Sequence, residues 1–335
     1  MRSLSVAGLI ALAACGAGGG TAVRVTIPTG ATMRVASDSL AKAGVIHWPR
    51  LFRVYASVRH RDRRIRSGTY LLHHDAGWGF VLDALRAGKG IVHMVTIPEG
   101  FSLLQIEPLV AAKLGAPIDS VDAAVRDTAL LHRLDLPTAT VEGYLFPDTY
   151  VFPDRTTAAA AVDAMVQRFE QVWKPEWTAR LDTINLSRND VMTLASIVEK
   201  EARLPEERPV IAAVYLNRLR DGMLLQADPT VQYALGKHVA RVYYKDLEID
   251  SPYNTYRHKG LPPGPIASPG RPSIEAALYP ANVPYEFFVA FPDGHHEFRR
   301  DLAGHEQAKA QARKAWDSVD VARRAEAARG APHTK

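Results

Sequence analysis

The hexapeptide VTIPTG at residues 25–30 returns as VTIPEG at residues 95–100, identical at five of six positions. Each copy opens on β-branched residues and meets a Pro-x-Gly turn. Each then runs into a segment with helical spacing of apolar side chains, ASDSLAKAGVI after the first and IEPLVAAKLGAPI after the second. Strand, turn and amphipathic helix, written twice, predict a structural repeat and an α+β fold. Between the copies the pattern predicts a helix over 48–58, a strand over 68–73 and a helix over 81–87 that stops at Gly88. Together these outline a small α+β module at residues 24–98, followed by a mostly helical domain at 99–320 and a polar tail at 321–335.

The second domain carries helical patterns at 157–172, at 190–202 with Asp190 in the N-cap position, and at 206–221, where Gly222 stops the run. The stretch SPYNTYRHKGLPPGPIASPG, residues 251–270, holds too many Gly and Pro clusters for a helix or a central strand, and predicts a long loop. A hairpin over 285–291 and 297–299, turning at Pro292–Gly294, and a surface helix from His305 complete the outline.

The chain starts with LSVAGLIALAAC, an apolar run too short to span a bilayer comfortably, followed by Gly-Ala-Gly-Gly-Gly. Residues 1–23 therefore read as an export signal, and LAAC resembles a lipoprotein box in which Cys15 is acylated. Cys15 is the only cysteine, so it has no disulfide partner. The alternative is an uncleaved membrane anchor. Both tether the chain to the membrane with its body on the extracytoplasmic, periplasmic side, which argues against nucleic acid as the partner of a chain with net charge +5. The basic cluster RHRDRRIR at 59–66 is ordinarily a solvated loop; its sharper reading is contact with phospholipid headgroups or an anionic wall polymer.

Glu199 and Glu201 lie one residue apart in DVMTLASIVEKEA. On a helix, Val191, Leu194, Ala195, Val198 and Ala202 gather on one face and Glu201 falls within it, whereas Glu199 sits about 160° away on the flank. A carboxylate on a core-facing stripe is costly unless paired or neutralised. Glu201 is then either paired with an arginine such as Arg208 or Arg218, or held protonated as a general acid. Glu199 has at most a supporting role. Downstream come Asn217 on an otherwise apolar helix, then Gln226, Asp228 and Thr230, then Tyr253, Asn254 and Tyr256. Amides, hydroxyls and aromatic rings of this kind suit a glycan cleft. The histidines His295, His296 and His305 lack zinc-hydrolase spacing, so neither metal nor cofactor is expected.

The ordered series SIVEKEA, LNRL, GMLLQADPTVQYALG, SPYNTY and GLPPGPIASPG, with VTIPEG and VEGYLFPDTY upstream, resembles the YceG-like family of endolytic murein transglycosylases. The resemblance implies an enzyme that cuts nascent peptidoglycan strands between N-acetylmuramic acid and N-acetylglucosamine, leaves 1,6-anhydro ends and terminates strand elongation. It implies that Glu201 is the catalytic acid and that the N-terminal module is similar to LysM. It also implies that peptidoglycan synthases are candidate partners. The family usually keeps an N-terminal transmembrane helix where this chain offers a lipobox. One carboxyl group suffices if the muramic acid's 6-hydroxyl attacks C1, unlike hydrolases that need two. Two rival readings stay open: a glycan-binding scaffold without activity, and a lysozyme-like hydrolase in which Asp228 or another carboxylate supplies the base.

Overall fold

A computed structural model describes residues 21–236 and 242–330. The segment with Cys15 lies outside the described residues, as does the end of the polar tail. The fold is α+β. One compact unit comprises the chain through His93 together with Val151–Arg155; the other comprises Met94–Tyr150 and everything from Thr156.

The first unit contains strand β1 (Ala22–Ile27), helices α1 (Met33–Lys42) and α2 (Pro49–Val58), strand β2 (Gly68–His73) and helix α3 (Trp78–Ala87). β1 pairs antiparallel with β2, Val25 opposite Tyr70. Alternation aims Val25 and Ile27 from one strand and Tyr70 and Leu72 from the other into a core closed by Leu40, Phe52, Leu82 and Leu85. The Thr32 hydroxyl caps α1, and Gly88, at φ +71°, ends α3 as its spacing predicted. α3 starts earlier than the sequence pattern placed it. The turn at Gly77 releases Trp78 to pack on Phe52 and Tyr55, with ring centroids 5.9 and 5.6 Å away. Strand β3 (Ile91–Thr96) pairs with β2, and β4 (Thr149–Pro153) completes a sheet of order β1-β2-β3-β4.

The second unit is mostly helical. It holds α4 (Leu103–Leu114), α5 (Ile118–Val125), α6 (Thr128–Leu134), α7 (Ala158–Val172), α8 (Pro175–Ile184), α9 (Arg188–Glu201), α10 (Arg208–Arg220), α11 (Asp228–Ala234) and α12 (Arg271–Leu278). A hairpin of β5 (Phe287–Ala290) and β6 (His296–Arg299) and a final helix α13 (Leu302–Gly330) follow. Both copies of the hexapeptide repeat lead from a strand into a helix, β1 to α1 and β3 to α4.

Helix α9 is the centre of this unit and packs against α10, α11 and α12. Its N-cap lies three residues before the expected position. Ser187, not Asp190, is the N-cap: its hydroxyl accepts from the Asp190 N–H while the Asp190 carboxylate accepts from the Ser187 N–H, a capping box. All eight residues from Val191 to Val198 are buried, so α9 has no solvent face over this span.

The Gly/Pro-rich segment after Ser251 is irregular, and Gly264–Gly270 is buried throughout. Its backbone groups find partners in neighbouring elements. Ile266 N–H donates to the Ser196 hydroxyl, Ser268 N–H to the Phe101 carbonyl, and Gly100 N–H to the Ser268 carbonyl. Gly143, at φ +83°, lies so close to Pro265 that an added Cβ would sit 2.3 Å from its ring. The second VTIPEG turn is thus a docking point for this loop.

Candidate active site

Glu201 is the last residue of α9, where the free carbonyls of the helix end disfavour an anion. The residue keeps some contact with solvent, yet its carboxyl is enclosed by protein. The Tyr215 hydroxyl donates to it at 2.9 Å. Burial pushes the Glu201 pKa up to about 7; Asp228 pushes the same way, while the Tyr215 hydrogen bond and the Arg218 charge partly counter it. Neither arginine weighed from the sequence forms an ion pair with it. Arg208 lies 3.7 Å from Glu199 instead. Arg218 is buried and donates to the carbonyls of Glu286, at 2.6 Å, and Leu225, at 2.7 Å, with its guanidinium 5.2 Å from the Phe287 ring centroid. A carboxyl half neutral near pH 7 can deliver a proton and take one back.

Glu199 corrects the helical-wheel reading. Its side chain is 7% exposed, not on a solvated flank. It accepts from Gly270 N–H at 3.1 Å and from the Ser273 hydroxyl at 2.7 Å, at the N-terminus of α12, where a negative charge is favoured. Arg208 also donates to the Ser273 hydroxyl at 3.0 Å, so Glu199, Ser273 and Arg208 form a clasp between α9, α10 and α12. A wheel reports direction around one helix, and here neighbours occupy both directions.

The sequence-predicted polar residues divide into two groups. Asp228 and Gln226 are exposed; the Tyr256 hydroxyl donates to Asp228 at 2.5 Å, the Asp228 charge acts on Glu201, and Tyr256 feels the Glu201 charge. Gln226 adopts a left-handed backbone, φ +52°, and its N–H donates to the Thr255 carbonyl. The others are occupied by the fold. Asn217 donates both amide hydrogens, to the carbonyls of Val283 and Tyr285. Asn254 donates to those of Leu247 and Ile249. Buried Thr230 shares a hydroxyl contact of 2.9 Å with Thr255, whose hydroxyl in turn accepts from Ala227 N–H. These bonds stitch the QADPT and SPYNTY segments together and keep Asp228 and Tyr256 within electrostatic reach of Glu201.

A second buried acid escaped the sequence reading. Glu142, in VEGYLFPDTY, is 4% exposed and accepts from the N–H of Leu103, at the start of α4, and of Gly143. Burial raises its pKa to about 8 against the opposing pull of those hydrogen bonds and of one from Tyr233. Tyr233 packs against Tyr253 with ring centroids 4.8 Å apart. Tyr253 therefore belongs to a Glu142–Tyr233 cluster, for which no local pattern in the sequence gave a signal. His296 pairs with Glu207 and His295 with Asp293, and among the described residues no cluster is arranged to hold a metal ion.

The YceG-like family model matches residues 25–311. An endolytic murein transglycosylase of Bacillus subtilis (strain 168) is 35% identical over 304 residues, which cover 86% of this chain and 84% of that protein. One from Streptococcus pneumoniae serotype 2 (strain D39) is 31% identical over 299 residues, covering 80% of this chain and 54% of that protein. The crystal structure of a yceG-like protein from Listeria monocytogenes is similar at a TM-score of 0.63 and 32% identity, over 85% of this chain and 98% of that one.

Proposed function

Because this chain belongs to the YceG-like family, we propose that it is an endolytic murein transglycosylase in which Glu201 alone serves as acid and then base. The observation that carries the assignment is the Glu201 carboxyl itself, enclosed, tied to the Tyr215 hydroxyl, without an arginine ion pair among the described residues and with its pKa raised to about 7. Protonated Glu201 gives its proton to the oxygen that links C1 of N-acetylmuramic acid to N-acetylglucosamine. As that bond breaks, the muramic acid's own 6-hydroxyl attacks C1, and the carboxylate takes the hydroxyl proton. A 1,6-anhydro ring forms, no water is consumed, and Glu201 ends protonated as it began.

Asp228 is the specific feature that favours the hydrolytic alternative, since it is a second carboxylate within electrostatic reach of Glu201. In our reading it orients Tyr256 and helps keep Glu201 protonated, while Gln226, Tyr256 and Tyr253 offer polar and aromatic contacts to sugars. Asn217, Thr230 and Asn254 hold the walls of the cleft, and Glu199 braces the helix that carries Glu201. Digestion of purified glycan strands separates the readings. Transglycosylation gives fragments ending in 1,6-anhydromuramic acid, with intermediate lengths appearing early; reducing ends would assign hydrolysis. Glu201→Gln is expected to lower the rate by about 10²–10⁴-fold with the fold intact, an outcome that a non-catalytic scaffold does not share.

The strand–helix–helix–strand order of the first unit, with β1 antiparallel to β2, supports a LysM-like, glycan-binding role for the module at 24–98. The apolar run ending at Cys15 supports a membrane-anchored, extracytoplasmic enzyme, and membership of the family supports a role in terminating growing strands beside the synthases that make them. No described helix is long and apolar enough to cross a membrane.

A further inference from the structure

Helix α2 turns only part of its apolar surface inward. Phe52 and Ala56 are fully buried in the core of the first unit, whereas Trp48 is 65% exposed, Leu51 56%, Val54 61% and Val58 73%. Their spacing of three, three and four residues draws one continuous stripe along the outer side of the helix. Single exposed apolar residues are ordinary, but three along one helix, preceded by a tryptophan at its N-cap, form a patch. The apolar stripe is bordered by cations. Arg50 lies on the same helix, and the loop that leaves its C-terminus carries Arg59, Arg63 and Arg64, all exposed. Arg53 and Arg61 are neutralised by Asp38 and Asp83, but Arg50, Arg59, Arg63 and Arg64 form no ion pair among the described residues. Arg59 stacks over Tyr55, 5.4 Å from its ring centroid, so its charge is held at the edge of the stripe.

We infer that the outer face of α2 and the arginine loop after it form a membrane-surface site that seats the first unit on an anionic phospholipid bilayer. An apolar stripe ending in tryptophan suits the boundary between headgroups and acyl chains, and unpaired arginines suit the phosphates above it. A soluble polyanion would use the arginines but leave Leu51, Val54 and Val58 in water. A neutral apolar partner would leave four cations without counter-charge. A surface that is anionic outside and hydrocarbon beneath matches both halves of the patch. This docking does not depend on which anchor residues 1–23 provide.

The test places one environment-sensitive fluorophore on the stripe. Cys15 is the sole cysteine, so the full chain carrying Cys15→Ser and Val54→Cys is labelled at position 54 alone; Leu302→Cys, 61% exposed in the other unit, is the control position. Vesicles containing phosphatidylglycerol are expected to blue-shift the label at 54 and allow its quenching by acyl-chain spin labels, while the label at 302 stays aqueous. Replacing Arg50, Arg59, Arg63 and Arg64 by Gln should lower the docked-to-undocked ratio about fivefold per arginine, and added salt should act in the same direction. Leu51→Glu should abolish the shift without unfolding the protein, because Leu51 is outside the core. An aqueous label at 54 on every vesicle overturns the inference. So does an equal response to pure phosphatidylcholine, which would reflect apolar adhesion without charge recognition. A response to dextran sulfate equal to that with anionic vesicles would overturn it in favour of a wall polymer.

Discussion

Glu201 and Glu142 are both held toward the neutral form, with opposite consequences for experiment. For Glu201, activity requires the protonated carboxyl, so kcat/KM should be level at low pH and fall tenfold per pH unit above about 7. Tyr215 donates a hydrogen bond that favours the ionised form, so Tyr215→Phe removes that pull and should move the alkaline limb to higher pH; release of anhydro ends measured from pH 5.5 to 9 reads both, and an unmoved limb would mean the Tyr215 hydroxyl does not act on the acid. For Glu142 the readout is stability. Its folded pKa, about 8, is above the ordinary value of 4.5, so the folded state binds more protons than the unfolded one between those values. Stability from this group is complete below pH 4.5 and is lost as pH rises through 8. Glu142→Gln should therefore match the parent near pH 5 and exceed it at pH 9 by on the order of a few kcal/mol in denaturant unfolding. Parallel stability curves would show that Glu142 ionises freely in the fold.

At the scale of elements, α9 is braced at its C-terminal end by a carboxylate that the helical wheel put on the flank. Glu199→Ala would leave Arg208 without its counter-charge and Gly270 N–H without its acceptor. Chemical denaturation should show a loss of about 3–5 kcal/mol, and Glu199→Gln a smaller loss of about 1–3 kcal/mol. A loss below about 0.5 kcal/mol would return the group to the solvated surface. Elements defined by short-range signals were readable. The repeat named two strand–turn–helix units, Gly88 and Gly222 marked helix ends, and Pro292–Gly294 marked the hairpin turn. What the sequence withheld depends on contacts between distant residues. Glu142 meets Leu103 across 39 positions and Glu199 meets Ser273 across 74. Asn217 was legible as an amide on an apolar helix and Asn254 as a polar loop residue, but neither pattern says whether an amide faces a sugar or a carbonyl of its own chain. The proline-rich loop belongs with these, since its composition announced irregular backbone and was silent about Ser196 and Gly100, which hold it in the interior.

For the whole chain, anchoring is open to a direct test. Mass spectrometry of membrane-extracted protein should find an acylated cysteine at residue 15 as the new N-terminus, and Cys15→Ser should abolish that modification; an intact Met1 would establish the uncleaved anchor. The path of the chain has a separate consequence. It leaves the first unit at His93 and returns only for Val151–Arg155, where Asp154 N–H donates to the Ile91 carbonyl and the Asp154 carboxylate meets Arg66 and His93. The 57 residues from Met94 to Tyr150 must be made before that return, which at about 5–20 residues per second is a delay of roughly 3–11 s. During that interval a chain emerging N-terminus first holds the edge of β3 uncovered, a window in which strand-seeking neighbours or chaperones meet it. A fragment that stops before Val151 prolongs that window indefinitely, so excising the first unit without its returning segment Val151–Arg155 should give a protein prone to associate through that edge.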